Sequence, residues 1–356
     1  MSKTKKKNKL SPKSGPPIFD VNAASDKNAG IFGLPFTRDQ SRVIYLPVPW
    51  EATTSYGKGT ADGPKAILRA SHQLDLYDPE VLRPYACGLF LEKENAQLRK
   101  WASQAKNLAA SARNGNKAAL KKVNDLGNLM NAWVKEEIKK IYLEDKIPAL
   151  IGGDHSTPFG AFEAAADEGS FGILHFDAHS DTRSAYEGFT WSHASIMHNA
   201  LTRLPQIKKI VQVGIRDFCE QEVDFIRSQG DRMRVFYDHE LKISKEAGVS
   251  WTQTAHEIVS ALPQRIWISF DIDGLDPRYC PHTGTPVPGG LEFHEANAVL
   301  RACASAGKKI IGFDLNEVAP SPKGKSDEWD ANVGMRLLYK LTAWTLVSQG
   351  LAKRLS

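Results

Sequence analysis

Four carboxylates and two imidazoles stand in three separated segments of this sequence. They are His155 in GGDHS (152–156), Asp177, His179 and Asp181 in HFDAHSD (175–181), and Asp271 and Asp273 in SFDIDGLDP (269–277). Each segment follows a strand-like apolar run. Burying unpaired carboxylates side by side costs several kcal/mol each, so the set calls for a strong counter-charge, and metal ions are the obvious one. Spacings of i, i+2 and i+4 make the ligands of each strand project to the same side as the strand runs out. Gly152-Gly153 lets the backbone before His155 come close to the centre. A lone DxH or DxD at a strand end is usually a turn or a helix cap; three such segments together point to metal chemistry. Oxygen-rich donors with a minority of imidazole favour manganese over zinc and leave nickel open. The six residues suffice for two ions if Asp177 and Asp271 bridge.

The elements that must position these groups follow from the apolar runs VIYLPVP (43–49), IPALIGG (147–153), GILHFDA (172–178), KIVQVGI (209–215), RIWISFD (265–271) and KIIGFDL (309–315). Most are continuous, the pattern of strands buried on both faces, and helical stretches lie between several of them. The expectation is an α/β fold, a three-layer αβα arrangement around a mostly parallel sheet, with the active site at the C-terminal strand ends, where such sheets bind ligands. A closed barrel would place its site the same way. Residues 1–40 are expected to form an irregular basic arm and 41–356 the catalytic domain, interrupted by a helical excursion at about 93–145. In that excursion Leu98, Trp101, Ala105 and Leu108 share a helical face, Asn114-Gly115-Asn116 marks a turn, and Leu120, Val123, Met130 and Trp133 resume the spacing. It reads as a helical hairpin packed on its own core, with an oligomer contact or a cap over the site as alternatives.

Composition excludes several classes. Of 356 residues 42% are hydrophobic and 24% charged, ordinary for a globular enzyme. The formal net charge of +5 includes Lys3, Lys5, Lys6, Lys7, Lys9 and Lys13, and without that tail the remainder carries about −1, no nucleic-acid signature. No apolar run is long enough for a bilayer and the basic N-terminus lacks a signal-like stretch, so a cytoplasmic protein without membrane partners is expected. Cys87, Cys219, Cys280 and Cys303 lack CxxC spacing, which argues against a zinc knuckle or a disulfide framework.

With these motifs the sequence resembles the ureohydrolases, the family of arginase and agmatinase, whose signature segments match GGDHS, DAHSD and SFDIDGLDP nearly letter for letter, from about Val43 to Leu346 outside the excursion. The resemblance implies two manganese ions, one held by His155, Asp177, Asp181 and Asp271 and the other by His179, Asp177, Asp271 and Asp273. It implies attack of hydroxide on the carbon of a small guanidino substrate, with Asp181 serving the leaving amine, His193 of TWSHAS shuttling protons and Glu317 pairing with the guanidinium. It also implies a homo-oligomer, a trimer or hexamer. Read alone, His193 would be a structural histidine and Glu317 a helix cap; His175 and His198 are taken as structural, Asp154 and Asp276 as supporting or turn carboxylates.

Thr182-Arg183-Ser184-Ala185-Tyr186 follows DAHSD in place of the arginase residues that hold an α-carboxylate, and Cys219 stands where an aspartate would meet the α-amino group. Agmatine is therefore the first choice. Arginine, guanidine, guanidino acids and formiminoglutamate share the cleaved amidine carbon. A one-zinc deacetylase would leave Asp181 and Asp273 without purpose, and a non-catalytic binding protein would not need the full ligand set.

Overall fold

Alternation along each strand explains the layering. In the computed structural model, which describes residues 17–26, 29–54 and 56–355, the strands are β1 (Val43–Val48), β2 (Val81–Leu82), β3 (Leu89–Leu91), β4 (Ile147–Gly152), β5 (Phe171–Phe176), β6 (Ile207–Ile215), β7 (Met233–Tyr237), β8 (Arg265–Asp271), β9 (Lys309–Asn316) and β10 (Lys353–Arg354). Successive side chains of β1 point to opposite faces. Val43 and Tyr45 enter an apolar cluster with Ile67 of α1 (Gly63–Ser71) and Leu337 and Leu341 of the C-terminal helix Trp329–Ser348. Ile44, Leu46 and Val48 enter a second cluster on the other face, built from α2 (Ala96–Arg113), α3 (Lys117–Leu143) and α4 (Phe159–Asp167). Both faces are dry, which is why the strands read as continuous apolar runs.

The sheet has eight strands in the order β3-β1-β4-β9-β8-β5-β6-β7, and every pairing is parallel. It is open, with β3 and β7 at its edges, so the barrel alternative falls. β2 and β10 form a separate antiparallel pair. β4, β9, β8 and β5 are adjacent, so their C-terminal ends converge on one volume at the centre of the sheet.

The lysine-rich tail lies outside the described residues. Within 29–40 the chain is irregular apart from one 3-10 turn, yet Ile31, Phe32, Leu34 and Phe36 are buried in the first apolar cluster. Residues 93–145 hold the α2–α3 pair, capped by the side chains of Asn95 and Asn116, with Gly115 in the left-handed conformation between the helices. Among the described residues no helix is long and apolar enough to cross a membrane.

Candidate active site

Asp177, His179 and Asp181 follow directly on β5; Asp271 ends β8 and Asp273 follows it; His155 stands three residues beyond β4. The donor atoms of His155, His175, Asp177 and Asp181 lie within 4.8 Å of one another, as do those of Asp177, His179 and Asp273. Asp177 belongs to both groups. Its Oδ2 lies 3.0 Å from His155 Nδ1, while its Oδ1 lies 3.4 Å from His179 Nδ1. One carboxylate therefore faces two imidazoles with different oxygens, the disposition a bridge requires. His179 Nδ1 is also 3.2 Å from Asp273 Oδ2, and Asp181 Oδ2 is 3.5 Å from His155 Nδ1. Asp271 joins through Oδ2, 3.2 Å from His155 Nδ1, while its Oδ1 accepts the Asp273 N–H at 2.9 Å.

Hydrogen bonding behind His155 fixes which nitrogen faces the acids. Ser269 Oγ donates to Asp314 Oδ1 at 2.8 Å, so that hydroxyl can only accept from His155 Nε2, 2.9 Å away. With Nε2 turned to Ser269, Nδ1 is the nitrogen that faces the three carboxylates, the atom that would offer its lone pair to a metal ion in place of a proton.

Electrostatics lead to the same conclusion. Burial, and then the neighbouring carboxylates Asp177 and Asp273 respectively, hold the Asp181 and Asp271 carboxyls well above the usual range. Burial opposes the charged forms of His155 and His179, but their acidic neighbours prevail, raising His155 well above its ordinary value and His179 to about 12. Acids and imidazoles are thus neutralising one another where divalent ions would do so. The donor set, oxygen-rich with two imidazoles, fits a pair of hard divalent metals.

Glu317 follows β9 with a left-handed backbone, φ 62°, and Asp181 has φ 56°. Non-glycine residues adopt that region at a cost of about 1–2 kcal/mol and keep it only where the surroundings impose it. For Asp181 the imposition is visible: its carbonyl accepts the N–H groups of Met197 and His198 at 3.0 and 3.2 Å. For Glu317, the backbone N–H donates to Gly153 O at 2.8 Å and Oε1 accepts the His155 N–H at 2.9 Å. Glu317 Oε2 is buried without a hydrogen-bond partner, and a Cβ on Gly284 would sit 3.0 Å from it. An unpartnered carboxylate oxygen behind a glycine is a ready acceptor for a cationic N–H donor.

His193 opens a short 3-10 turn and is half-buried, its ring 6.0 Å from that of Tyr186. Burial, followed by the positive charges of His179, His155 and Arg113, pushes its pKa down to about 4.

His175, structural by the sequence reading, lies in the cluster. Its Nε2 is 2.8 Å from Asp177 Oδ2 and its Nδ1 accepts from Gln212 Nε2 at 2.9 Å. The Gln212 amide is itself fixed, donating to Ser180 O and accepting from Ser180 Oγ. His175 therefore presents an N–H to Asp177 and orients it. The sequence signal was its position two residues before Asp177; Gln212 had none, and reaches His175 only through the β5–β6 register. Asp154 accepts from Ala52 N and from Ser156, tying the 50–54 loop to the turn after β4, and Asp276 accepts the Arg278 N–H in a turn away from the cluster. Cys219 N-caps the helix Glu220–Ser228, where its N–H meets Glu222 Oε2 at 3.0 Å.

This open parallel sheet, with a shared carboxylate between two histidine-centred groups at its C-terminal edge, is the frame of a metal-dependent hydrolase. The chain belongs to the Arginase family, whose model matches residues 41–343. It is 32% identical over 312 residues to N(1)-aminopropylagmatine ureohydrolase of Synechocystis sp., covering 86% of this chain and 90% of that protein. It is 26% identical over 322 residues to guanidinobutyrase of Pseudomonas aeruginosa, covering 86% and 87%. Among solved structures, proclavaminate amidino hydrolase from Streptomyces clavuligerus superposes with a TM-score of 0.69 at 23% identity, covering 92% of this chain and 99% of that one. The protein is a ureohydrolase.

Proposed function

We propose that this enzyme hydrolyses the guanidino C–N bond of agmatine or of an N1-aminopropyl agmatine, substrates whose distal end is a cation, releasing urea. The observation that carries the choice is the charge state of the rim. Arg183, which could have drawn a carboxylate, is engaged: its Nε is 3.5 Å from Glu222 Oε2 and its guanidinium lies 5.0 Å over the Tyr186 ring. Arg113 is held by Glu187. Arg216 is spent on the carbonyls of Gly214, Asp273, Leu275 and Val287. Asp217, by contrast, reaches only His179 among the described residues, its Oδ2 4.0 Å from Nε2, and its side chain is 67% exposed, open to a distal ammonium. The Synechocystis relative, named for an aminopropyl derivative, agrees with a cationic tail.

In this reading His155, Asp177, Asp181 and Asp271 would hold one manganese ion and His179, Asp177, Asp271 and Asp273 the other. When bound, the metals neutralise the carboxylates and lower the pKa of water enough to supply a nucleophile at neutral pH. Glu317 takes the guanidinium through its unpartnered Oε2 and orients the carbon. Asp181 delivers a proton to the leaving nitrogen, and His193, kept neutral by burial, carries protons between that carboxylate and solvent. A one-zinc deacetylase reading has no use for the Asp177–His179–Asp273 group.

The test is urea release by manganese-loaded and nickel-loaded protein from agmatine, N1-aminopropylagmatine, arginine, 4-guanidinobutyrate and formiminoglutamate. A kcat/KM for a cationic-tail substrate at least about tenfold above that for arginine or guanidinobutyrate is expected, the ratio given by about 1.4 kcal/mol. A preference for guanidinobutyrate would overturn the choice.

A further inference from the structure

The α2–α3 pair carries none of the motif residues, yet it touches the loop after β1, which Ala52 ties to Asp154, and the loop after β5, which leads to His193. Arg113, the last residue of α2, pairs through Nε with Glu187, and its Nη2 donates to the carbonyls of Thr53 and Thr54, each at 3.2 Å. Its guanidinium lies 5.4 Å from the centre of the Phe189 ring. One planar fork therefore joins the loop after β1 to the loop after β5, a geometry that a lysine cannot copy. α3 grips the second loop further along. Asn124 donates to Gly188 O at 3.3 Å and accepts the Thr190 N–H at 2.9 Å, while Asn128 accepts from Trp191 Nε1 at 2.7 Å. Trp191 sits so close to the helix that a Cβ on Gly127 would lie 2.7 Å from its ring. On the other side Lys106 of α2 pairs with the fully buried Glu51, whose Oε2 accepts the N–H groups of Gly59 and Ala61.

The second loop is held against the local preference of Glu187, which has φ 52°, ahead of Gly188 at φ 83°, a conformation natural to glycine. His193 lies two residues beyond Trp191, and Tyr186, whose ring faces His193, is the residue before Glu187.

We propose that the α2–α3 pair sets the width of the substrate cleft, with Arg113 as the positioning residue that clasps its two rim loops together. This rests on the guanidino-hydrolase reading above for its consequence, though not for its geometry. The clasp fixes the distance between Glu317, which takes the guanidinium, and the rim that meets the substrate's far end, so it acts on how well a substrate of given length fits.

Hydrogen exchange of the full chain, followed for peptides covering 50–57 and 183–193, compares wild type with Arg113→Met, Arg113→Lys and Asn124→Ala. Arg113→Met is expected to speed exchange in both segments about tenfold or more, with β5 and β8 unchanged, because charge-assisted bonds to both loops are lost together. Arg113→Lys, which retains the charge but not the fork, is expected to fall between. Asn124→Ala is expected to loosen 187–191 alone, and stands in if Arg113→Met fails to fold. In turnover, Arg113→Met is expected to raise KM for agmatine about tenfold and to lower kcat by less than His193→Ala does, because the loop that carries His193 loosens without losing it; an unchanged KM overturns the effect on cleft width. Exchange confined to 183–193 in Arg113→Met, or unchanged in both segments, overturns the clasp. In Asn124→Ala, unchanged exchange at 187–191 overturns the grip by α3. Exchange reads the clasp even if wild type releases no urea from any compound tried, an outcome that would count against the guanidino reading alone.

Discussion

The strand ends and the rim loops of this cleft are held in place by different means. Asp177, His179 and Asp181 stand within a few residues of β5, Asp271 and Asp273 at the end of β8, and His155 just beyond β4, so the register of buried neighbouring strands sets their separations. The rim segments 50–54 and 183–193 are held by side chains far along the chain, such as Arg113, Asn124 and Asn128. Their backbone includes Glu187 in the left-handed region. In the proposed reading, chemistry is built onto the ends of buried strands, while the part that meets the variable end of a substrate is supported separately and can change without moving the proposed metal ligands.

If that separation is right, substitutions at the strand ends act on metal and turnover together, and substitutions further out act on one or the other. Asp271→Ala should lower kcat/KM by at least about a thousandfold, about 4 kcal/mol of barrier, with metal lost in elemental analysis. Asp276→Ala, in a turn away from the cluster, should keep its metal. Equal metal loss in the two variants would show that the ligands are wrongly placed.

His193→Ala should lower kcat about a hundredfold with metal content unchanged. A wild-type kcat in that variant would return His193 to a structural role. His175→Phe and Gln212→Leu sit one contact behind Asp177 and should weaken metal binding by about 10–100-fold in a chelator competition. Unchanged affinity in both would mean that Asp177 needs no orienting partner. The smallest effect belongs to the rim: because Arg183 is already engaged by Glu222 and Tyr186, Arg183→Ala should change the agmatine-to-arginine ratio of kcat/KM by less than about threefold, below about 0.7 kcal/mol. An arginine preference in wild type that vanishes in the variant would make Arg183 a carboxylate anchor and remove the basis for a cationic tail.

The same division explains what the sequence made visible. β1, β4, β5, β6, β8 and β9 are buried on both faces and appear as apolar runs, and the proposed ligands after β5 and at the end of β8 appear because they continue the two-residue period of those strands, while His155 appears through the Gly152-Gly153 turn before it. β3 is three residues long, and β7 is an edge strand with the exposed Arg234 inside it, so neither has a distinctive pattern. His175 obeys the same period, but its role depends on Gln212, 37 residues away, and so is invisible in its own segment. The hold of Arg113 on Thr53, Thr54 and Glu187 spans about 60 to 74 residues and leaves no local trace. Periodicity reports what one element does. It carries no information on which side chain of a distant helix reaches a loop.

The shared carboxylate is the point on which the rest depends, and metal stoichiometry tests it directly. Equilibrium dialysis of wild type and Asp177→Ala against manganese, with bound metal counted per chain, should give two ions in wild type and lose both together in the variant, since each group of donors loses a residue that both contain. One ion in wild type, or an Asp177→Ala chain that keeps one at unchanged affinity, would contradict it.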